Sequence, residues 1–145
     1  MRQYLLIVCG TVIKINGPGL VYELGLSIKT GNIVWYNGPF PAKHSIFWSN
    51  LKSLLLSGEN IVADLGYRGK YKARTGLDAK DKPHKRVMPK IMTRHETVNR
   101  SLKQFRCLGD KYFCDRKKHA LVFETSVVLT HISFDLGDIP FQVNT

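Results

Sequence analysis

The sequence predicts an α/β domain, a mixed sheet flanked by helices, and three stretches predict it. Leu20 to Ile28 alternates, with Leu20, Tyr22, Leu24, Leu26 and Ile28 to one side and Val21, Glu23, Gly25 and Ser27 to the other, the period of a half-buried strand. Ile61-Val62-Ala63 is apolar at consecutive positions, as a central strand covered on both faces would be. Arg94 to Phe105 carries Val98, Leu102 and Phe105 at the i, i+4, i+7 spacing of a buried helical stripe. With 145 residues and 16.5 kDa, the chain has room for one domain with a core and not for two.

Tyr4 to Cys9 can be a buried strand that Gly10 ends and Thr11-Val12-Ile13 resumes. Asn16-Gly17-Pro18-Gly19 is a turn, and Leu20–Ile28 follows it. Lys29-Thr30-Gly31-Asn32 returns the chain into a second strand, Ile33 to Tyr36, making a hairpin that Asn37-Gly38-Pro39 and Pro41 end. Ser45 can cap a helix whose apolar face is Ile46, Phe47, Leu51, Leu54 and Leu55, with Gly58 as its stop. The Ile61–Ala63 strand ends on Asp64 and runs into the glycine turn Leu65-Gly66-Tyr67-Arg68-Gly69. Residues 68–92 read as a basic insertion, loop-like around Gly76, Pro83 and Pro89, with room for one short helix. The 94–105 helix ends near Gly109, and a last helix runs from His119 to Leu136 on Leu121, Val128, Ile132 and Leu136.

Charge divides the chain. Of a formal net charge of +11, residues 68–118 hold 17 Lys/Arg against 5 Asp/Glu, and the rest holds 5 against 6. A basic excess concentrated in one segment points to a polyanion partner and to salt-dependent affinity. A hydrophobic fraction of 43% argues against a disordered chain, and mean hydropathy is −0.15. No apolar run reaches membrane-spanning length, because Glu124, His131 and Asp135 interrupt the best candidate, Leu121–Leu136. The Met1-Arg2-Gln3 start before a short apolar run lacks a small-residue cleavage site, so secretion is not expected. Cys9, Cys107 and Cys114 form neither an even framework nor a CxxC pair, which suits reduced thiols; zinc held by Cys107, Cys114 and His119 matches no structural-zinc spacing.

The chemistry-bearing residues are two acids. On the 94–105 helix, Glu96, Asn99, Arg100 and Lys103 recur at i, i+3, i+4 and i+7, so one carboxylate shares a face with hydrogen-bonding and cationic groups. A solvated face held by a Glu96–Arg100 pair is the structural alternative. Asp64 stands at a strand's carboxyl end, where ligands gather in open α/β sheets, unless it caps the following turn. A carboxylate at a strand end and another on a helix are what a divalent-metal phosphodiester site needs.

Strand, hairpin, helix, strand ending in Asp, basic insertion and Glu-bearing helix is the order of a ribonuclease-H-like fold. Five blocks carry a closer likeness: Asn16-Gly17-Pro18-Gly19-Leu20 with Tyr22-Glu23, Gly31-Asn32-Ile33-Val34-Trp35 with Asn37-Gly38-Pro39-Phe40-Pro41, Ala63-Asp64 with Gly66-Tyr67 and Gly69, Arg94 to Asn99 with Leu102-Lys103, and Lys118-His119 with Leu121-Val122-Phe123. In that order they resemble the catalytic domain of DDE transposases of the Harbinger and related insertion-sequence type, over about residues 14–143. Residues 1–13 are then a divergent N-terminal segment and 14–145 the DDE-like domain, its opening strand missing or divergent.

The resemblance implies a magnesium- or manganese-dependent endonuclease and strand-transfer domain acting on DNA, nuclear in a eukaryote and otherwise cytoplasmic. Asp64 matches the family's second acid and Glu96 its third, the metal ligands. Lys103 matches a lysine thought to face DNA near the cut. Arg94 is implied as a phosphate contact and Asn99 as a support for the glutamate, with Arg68, Lys70, Lys72 and Arg100 completing a nucleic-acid-binding set. The departures are equally specific. No Asp or Glu occurs before Glu23, where the first acid belongs, and Ala42-Lys43-His44 and Met92 stand where relatives often carry an acid and an arginine. Cys9-Gly10-Thr11 has the shape of the family's Asp-Gly-Thr with cysteine for the acid, although its short interval to the turn argues for coincidence. The family's helix-turn-helix domain has no counterpart here, so the expectation is a truncated chain whose partner supplies DNA reading. A non-catalytic remnant that binds nucleic acid or a partner is the alternative.

Overall fold

Gly10 does not end the first strand. In a computed structural model that describes residues 3–15, 17, 19–41, 49–57, 59–63, 73–74 and 82–137, Gln3–Ile13 form one strand, β1, at the middle of the sheet. It pairs antiparallel with β2 (Leu20–Ser27) and parallel with β4 (Glu59–Ala63). The hairpin partner β3 (Ile33–Pro41) and a short parallel strand β5 (Ala73–Arg74) form the two edges, in the order β3-β2-β1-β4-β5. The class is mixed α/β, as predicted. Residues 3–13, most of the segment read as divergent, form the sheet's middle strand.

The β2–β3 hairpin turns at Gly31, whose φ of 77° is a conformation glycine adopts without penalty. Ser27 N–H donates to Asn32 O at 2.9 Å across its neck. Two differences from the sequence reading follow. Glu23 (1% exposed) and Gly25 are buried along with Tyr22, Leu24 and Leu26, so β2 is covered on both faces rather than one. And Asn37-Gly38-Pro39 continues β3 instead of ending it. Val21 pairs with Phe40 and Glu23 with Asn37, so two residues of β3, Gly38 and Pro39, stand against Tyr22 alone, a bulge. Gly38 sits there at φ 132°, and a Cβ would lie 2.8 Å from the Val21 carbonyl oxygen. An edge strand tolerates Pro39 and Pro41 because the missing N–H removes no bond from a second neighbour.

The first helix is α1 (Ser49–Leu54), with Leu51 buried and Leu54 exposed. Its expected start at Ser45, Ile46 and Phe47 and its stop at Gly58 lie outside the described residues. Ile61, Val62 and Ala63 are 0–1% exposed, a strand covered on both sides as predicted. The larger correction concerns the basic insertion. Its second half is helical: α2 runs over Lys82–Lys103, a 22-residue helix containing Pro89. Pro83 falls in the first turn, where its missing donor costs nothing, and that leaves Pro89 as the one interior breaker. The Thr93 hydroxyl donates to the Pro89 carbonyl at 2.8 Å.

After α2 the chain makes a short helix, α3 (Arg106–Gly109), and a 3-10 turn at Arg116–Lys118 that leads into α4 (His119–Asp135). Tyr112 N–H donates to Lys14 O at 2.8 Å, tying this connection to the chain just beyond β1. One apolar cluster joins Leu20, Tyr22, Leu24, Leu26 and Val62 of the sheet to Val98 and Leu102 of α2, Leu108 of α3, and Phe123, Val127 and Phe134 of α4. The Val98–Leu102 stripe is buried as its spacing predicts, with Phe105 packed at the margin.

The last helix has the predicted bounds but the other face inward. Leu121, Val128, Ile132 and Leu136 are exposed, and the buried positions are His119, Phe123, Ser126, Val127, Thr130 and Phe134. Both sets recur at helical spacing. The inward one holds the two phenylalanines, and its hydroxyls cost little to bury. Ser126 Oγ donates to Val122 O at 2.9 Å and Thr130 Oγ1 to Ser126 O at 2.8 Å, within the helix itself.

Candidate functional site

The surface that α2 presents is built from the residues its inward stripe leaves over. Ile91, Arg94, Val98 and Leu102, spaced i, i+3, i+7 and i+11, are 0–4% exposed and face the core. Glu96, Arg100 and Lys103 are exposed on the remaining face, with Asn99 half-buried beside them. Lys90, Arg106, Lys111, Arg116, Lys117 and Lys118 continue the exposed basic set through α3 and the turn before α4. Arg100 and Lys103 also occupy the last turn of α2, where cations offset the negative end of the helix dipole.

Arg94, implied as a phosphate contact, is in the interior. It is 1% exposed, and its Nη1 donates to the carbonyl oxygen of Ile28, the residue after β2. Burial pushes its pKa below the ordinary guanidinium value. A short path from solvent is what a phosphate contact needs, and this side chain has none. The sequence held the signal: Arg94, Val98 and Leu102 are spaced i, i+4, i+8, so an arginine on that column shares the apolar stripe.

Asp64, Arg68, Lys70 and Lys72 lie outside the described residues. The residue before Asp64, Ala63, ends β4 in register with Val8 of β1. The next residue of β1 is therefore Cys9, which pairs on its other side with Leu24. The register thus sets Cys9-Gly10-Thr11 on the central strand, level with the carboxyl end of β4.

Glu23 is the buried acid that the search for a first carboxylate passes over. It pairs with Gly10, whereas Tyr22 and Leu24 beside it belong to the core cluster that α2 covers. Strand alternation therefore puts Glu23 on the face away from Glu96, so it does not complete an acid set there. Among the described residues no group of three or more His, Cys, Asp or Glu side chains could hold a metal ion.

That holds for Cys107, Cys114 and His119 as well. Cys107 Sγ lies 3.9 Å from Ser126 Oγ, Cys114 is exposed, and His119 is wholly buried with Nδ1 2.7 Å from the Tyr22 hydroxyl. Burial raises the Tyr22 pKa and lowers that of His119, so the phenol donates and the imidazole stays neutral. Folding consequently excludes a proton from His119. Stability is complete above the unfolded imidazole value of 6.5 and falls as pH drops through it toward the lower folded value. Urea midpoints taken between about pH 7.5 and 5 check this. They should decline in the wild type and decline less in His119→Gln.

Compared with known proteins, the chain matches no family model, no curated protein and no solved structure. Among the described residues, no helix is long and apolar enough to cross a membrane.

Proposed function

We propose that this chain is a nucleic-acid-binding domain of the DDE-transposase type on a ribonuclease-H-like frame, with DNA as its partner. The observation that carries the reading is the segregation of charge over exposed surface. Lys90, Arg100, Lys103, Arg106, Lys111 and the 116–118 run are all exposed, as is Glu96, whereas β3 and α4 contain no Lys or Arg. A surface divided in this way attracts a polyanion to one part of the molecule. The frame is supported by the element order, in which a strand and hairpin, a helix, a strand running into Asp64 and a helix bearing Glu96 succeed one another.

In the catalytic form of this reading, Asp64 and Glu96 would hold magnesium or manganese, and Lys103 would approach the cut strand. A bound divalent ion would lower the pKa of an attacking water and steady the leaving oxygen. One observation favours the non-catalytic form. The β1 position that follows the Val8–Ala63 pair is Cys9, and a cysteine in place of a carboxylic acid supplies no hard oxygen ligand for a pair of divalent cations. The second reading is accordingly a binding remnant in which the basic surface is kept and cleavage is lost.

Anisotropy titration of labelled duplex DNA, with nicking of supercoiled plasmid in manganese, tests both. Binding should weaken on the order of a hundredfold or more from about 50 to 200 mM salt. Arg100→Ala and Lys103→Ala should each reduce the salt slope by about 1. Nicking that vanishes in Asp64→Asn and Glu96→Gln establishes the nuclease. Binding that those substitutions leave intact or tighten, with no nicking, establishes the remnant. A chain that ignores DNA at low salt is neither.

A further inference from the structure

We propose that the outward face of α4 is the contact surface of a homodimer, in which two copies of α4 pack antiparallel across a two-fold axis. The helix is apolar on both sides, a pattern that belongs to a buried helix. Its inner stripe is covered by the sheet, while Leu121 (66% exposed), Val128 (52%), Leu129 (45%), Ile132 (48%) and Leu136 (83%) stand in solvent. These five side chains fall within an arc of about 100° on the helix and extend along about 22 Å of it, at 1.5 Å per residue. The one hydroxyl among them is already satisfied, since Thr125 Oγ1 donates to Leu121 O at 2.8 Å. Covering the stripe therefore leaves that hydroxyl bonded, with Glu124 and Asp135 on one flank.

The stripe is self-complementary. Set antiparallel about the midpoint between Val128 and Leu129, Leu121 meets Leu136 of the other copy, Thr125 meets Ile132, and Val128 meets Leu129. A two-fold interface requires this property, because each contact must recur with the partners exchanged. Helices in such a pair cross at about 20° with ridges of one in grooves of the other.

Charge favours this face over the rest of the surface. Two chains of +11 repel wherever their basic surfaces meet. The α4 helix has only Glu124 and Asp135 as charged residues apart from its histidines, and β3, which lies along it, has none. Between the two runs a groove of about 300 Å³, lined by Val34, Tyr36, Glu124, Val127, Val128 and His131 among others, widens the apolar surface. His131 Nε2 accepts from Ile33 N–H at 3.1 Å, which ties the sheet edge to α4. The five side chains and their surroundings supply on the order of 500 Å² per copy, about the 1,000 Å² in total at which specific interfaces begin. The dimer would leave the Glu96 surface of each copy free and does not depend on the function proposed for it.

Analytical ultracentrifugation across low to high micromolar concentration, at moderate salt, is the test. The wild type should move from 16.5 kDa toward twice that mass as concentration rises. Leu129→Glu, which sets carboxylates against each other at the axis, should remain monomeric with an unchanged far-ultraviolet spectrum. Because that substitution could also disturb folding, cross-linking supplies a second reading. In a Cys114→Ser background, a mixture of Leu121→Cys and Leu136→Cys chains should form disulfide-linked dimers of one chain of each kind, and either chain alone should not. A monomer at every concentration, a dimer that persists in Leu129→Glu, or cross-linking of Leu121→Cys with itself would each overturn the proposal, the first leaving the stripe to a different protein.

Discussion

Phe123→Ala is expected to cost about 4 kcal/mol of folding stability, the largest effect of any single truncation on α4. The ring is fully buried, stacked on Tyr22 with centroids 3.8 Å apart and planes 6° from parallel, and Tyr36 meets it edge-on at 5.6 Å. Truncation removes the transfer energy of the ring and both aromatic contacts, and it opens a cavity between α4 and β2 that neighbours fill only in part. A domain of this size is stable by about 5–15 kcal/mol, so the substitution would remove between about a quarter and most of that stability. Phe123→Leu, which keeps most of the volume, should lose about 1–2 kcal/mol. Urea unfolding checks both through a lowered midpoint at unchanged slope. A loss below about 1.5 kcal/mol in Phe123→Ala would mean that α4 is not held to the sheet by this ring.

Arg94→Met should destabilise the fold by about 2–3 kcal/mol and leave DNA affinity nearly unchanged. The substitution keeps much of the hydrocarbon and removes the donor, which leaves the Ile28 carbonyl without the bond that Nη1 makes to it. Part of the cost returns because a buried charge no longer has to be desolvated. Arg94→Lys should not rescue stability, since a compact ammonium on a different stem cannot reproduce a planar fork. Arg94→Ala adds a cavity and should approach 4 kcal/mol. Paired urea and anisotropy measurements separate the interior role from the phosphate contact that the family likeness implies. The interior role lowers the unfolding midpoint, and a phosphate contact would lower affinity at constant stability.

Much of the fold was legible because it is written in local periodicity. Alternation over Leu20–Ser27 and turn residues at Thr30-Gly31 specify the hairpin, and the i, i+4 column of Val98 and Leu102 specifies the inward side of α2. The misreadings share one cause. Gly10, Gly38, Pro39 and Pro89 are breakers by intrinsic preference, yet a central strand, an edge bulge and a long helix absorb them, because neighbouring strands and turns supply the bonds a single residue loses. The candidate site was legible only as a helix face. Glu96, Arg100 and Lys103 follow from spacing on α2, while the level at which Cys9 stands beside the end of β4 depends on inter-strand register.

The amino-acid order alone settles the α/β class, the hairpin, the last helix and the gathering of basic charge between residues 68 and 118. Packing in three dimensions chooses between faces that look alike in one. It turns Phe123 and Phe134 inward and leaves Leu121 and Leu136 outside, and it draws Arg94 off the surface to the Ile28 carbonyl. The reason is physical. Spacing tells which side chains share a face, but the free energy of burying that face belongs to the partner it meets, and the partner is distant in sequence.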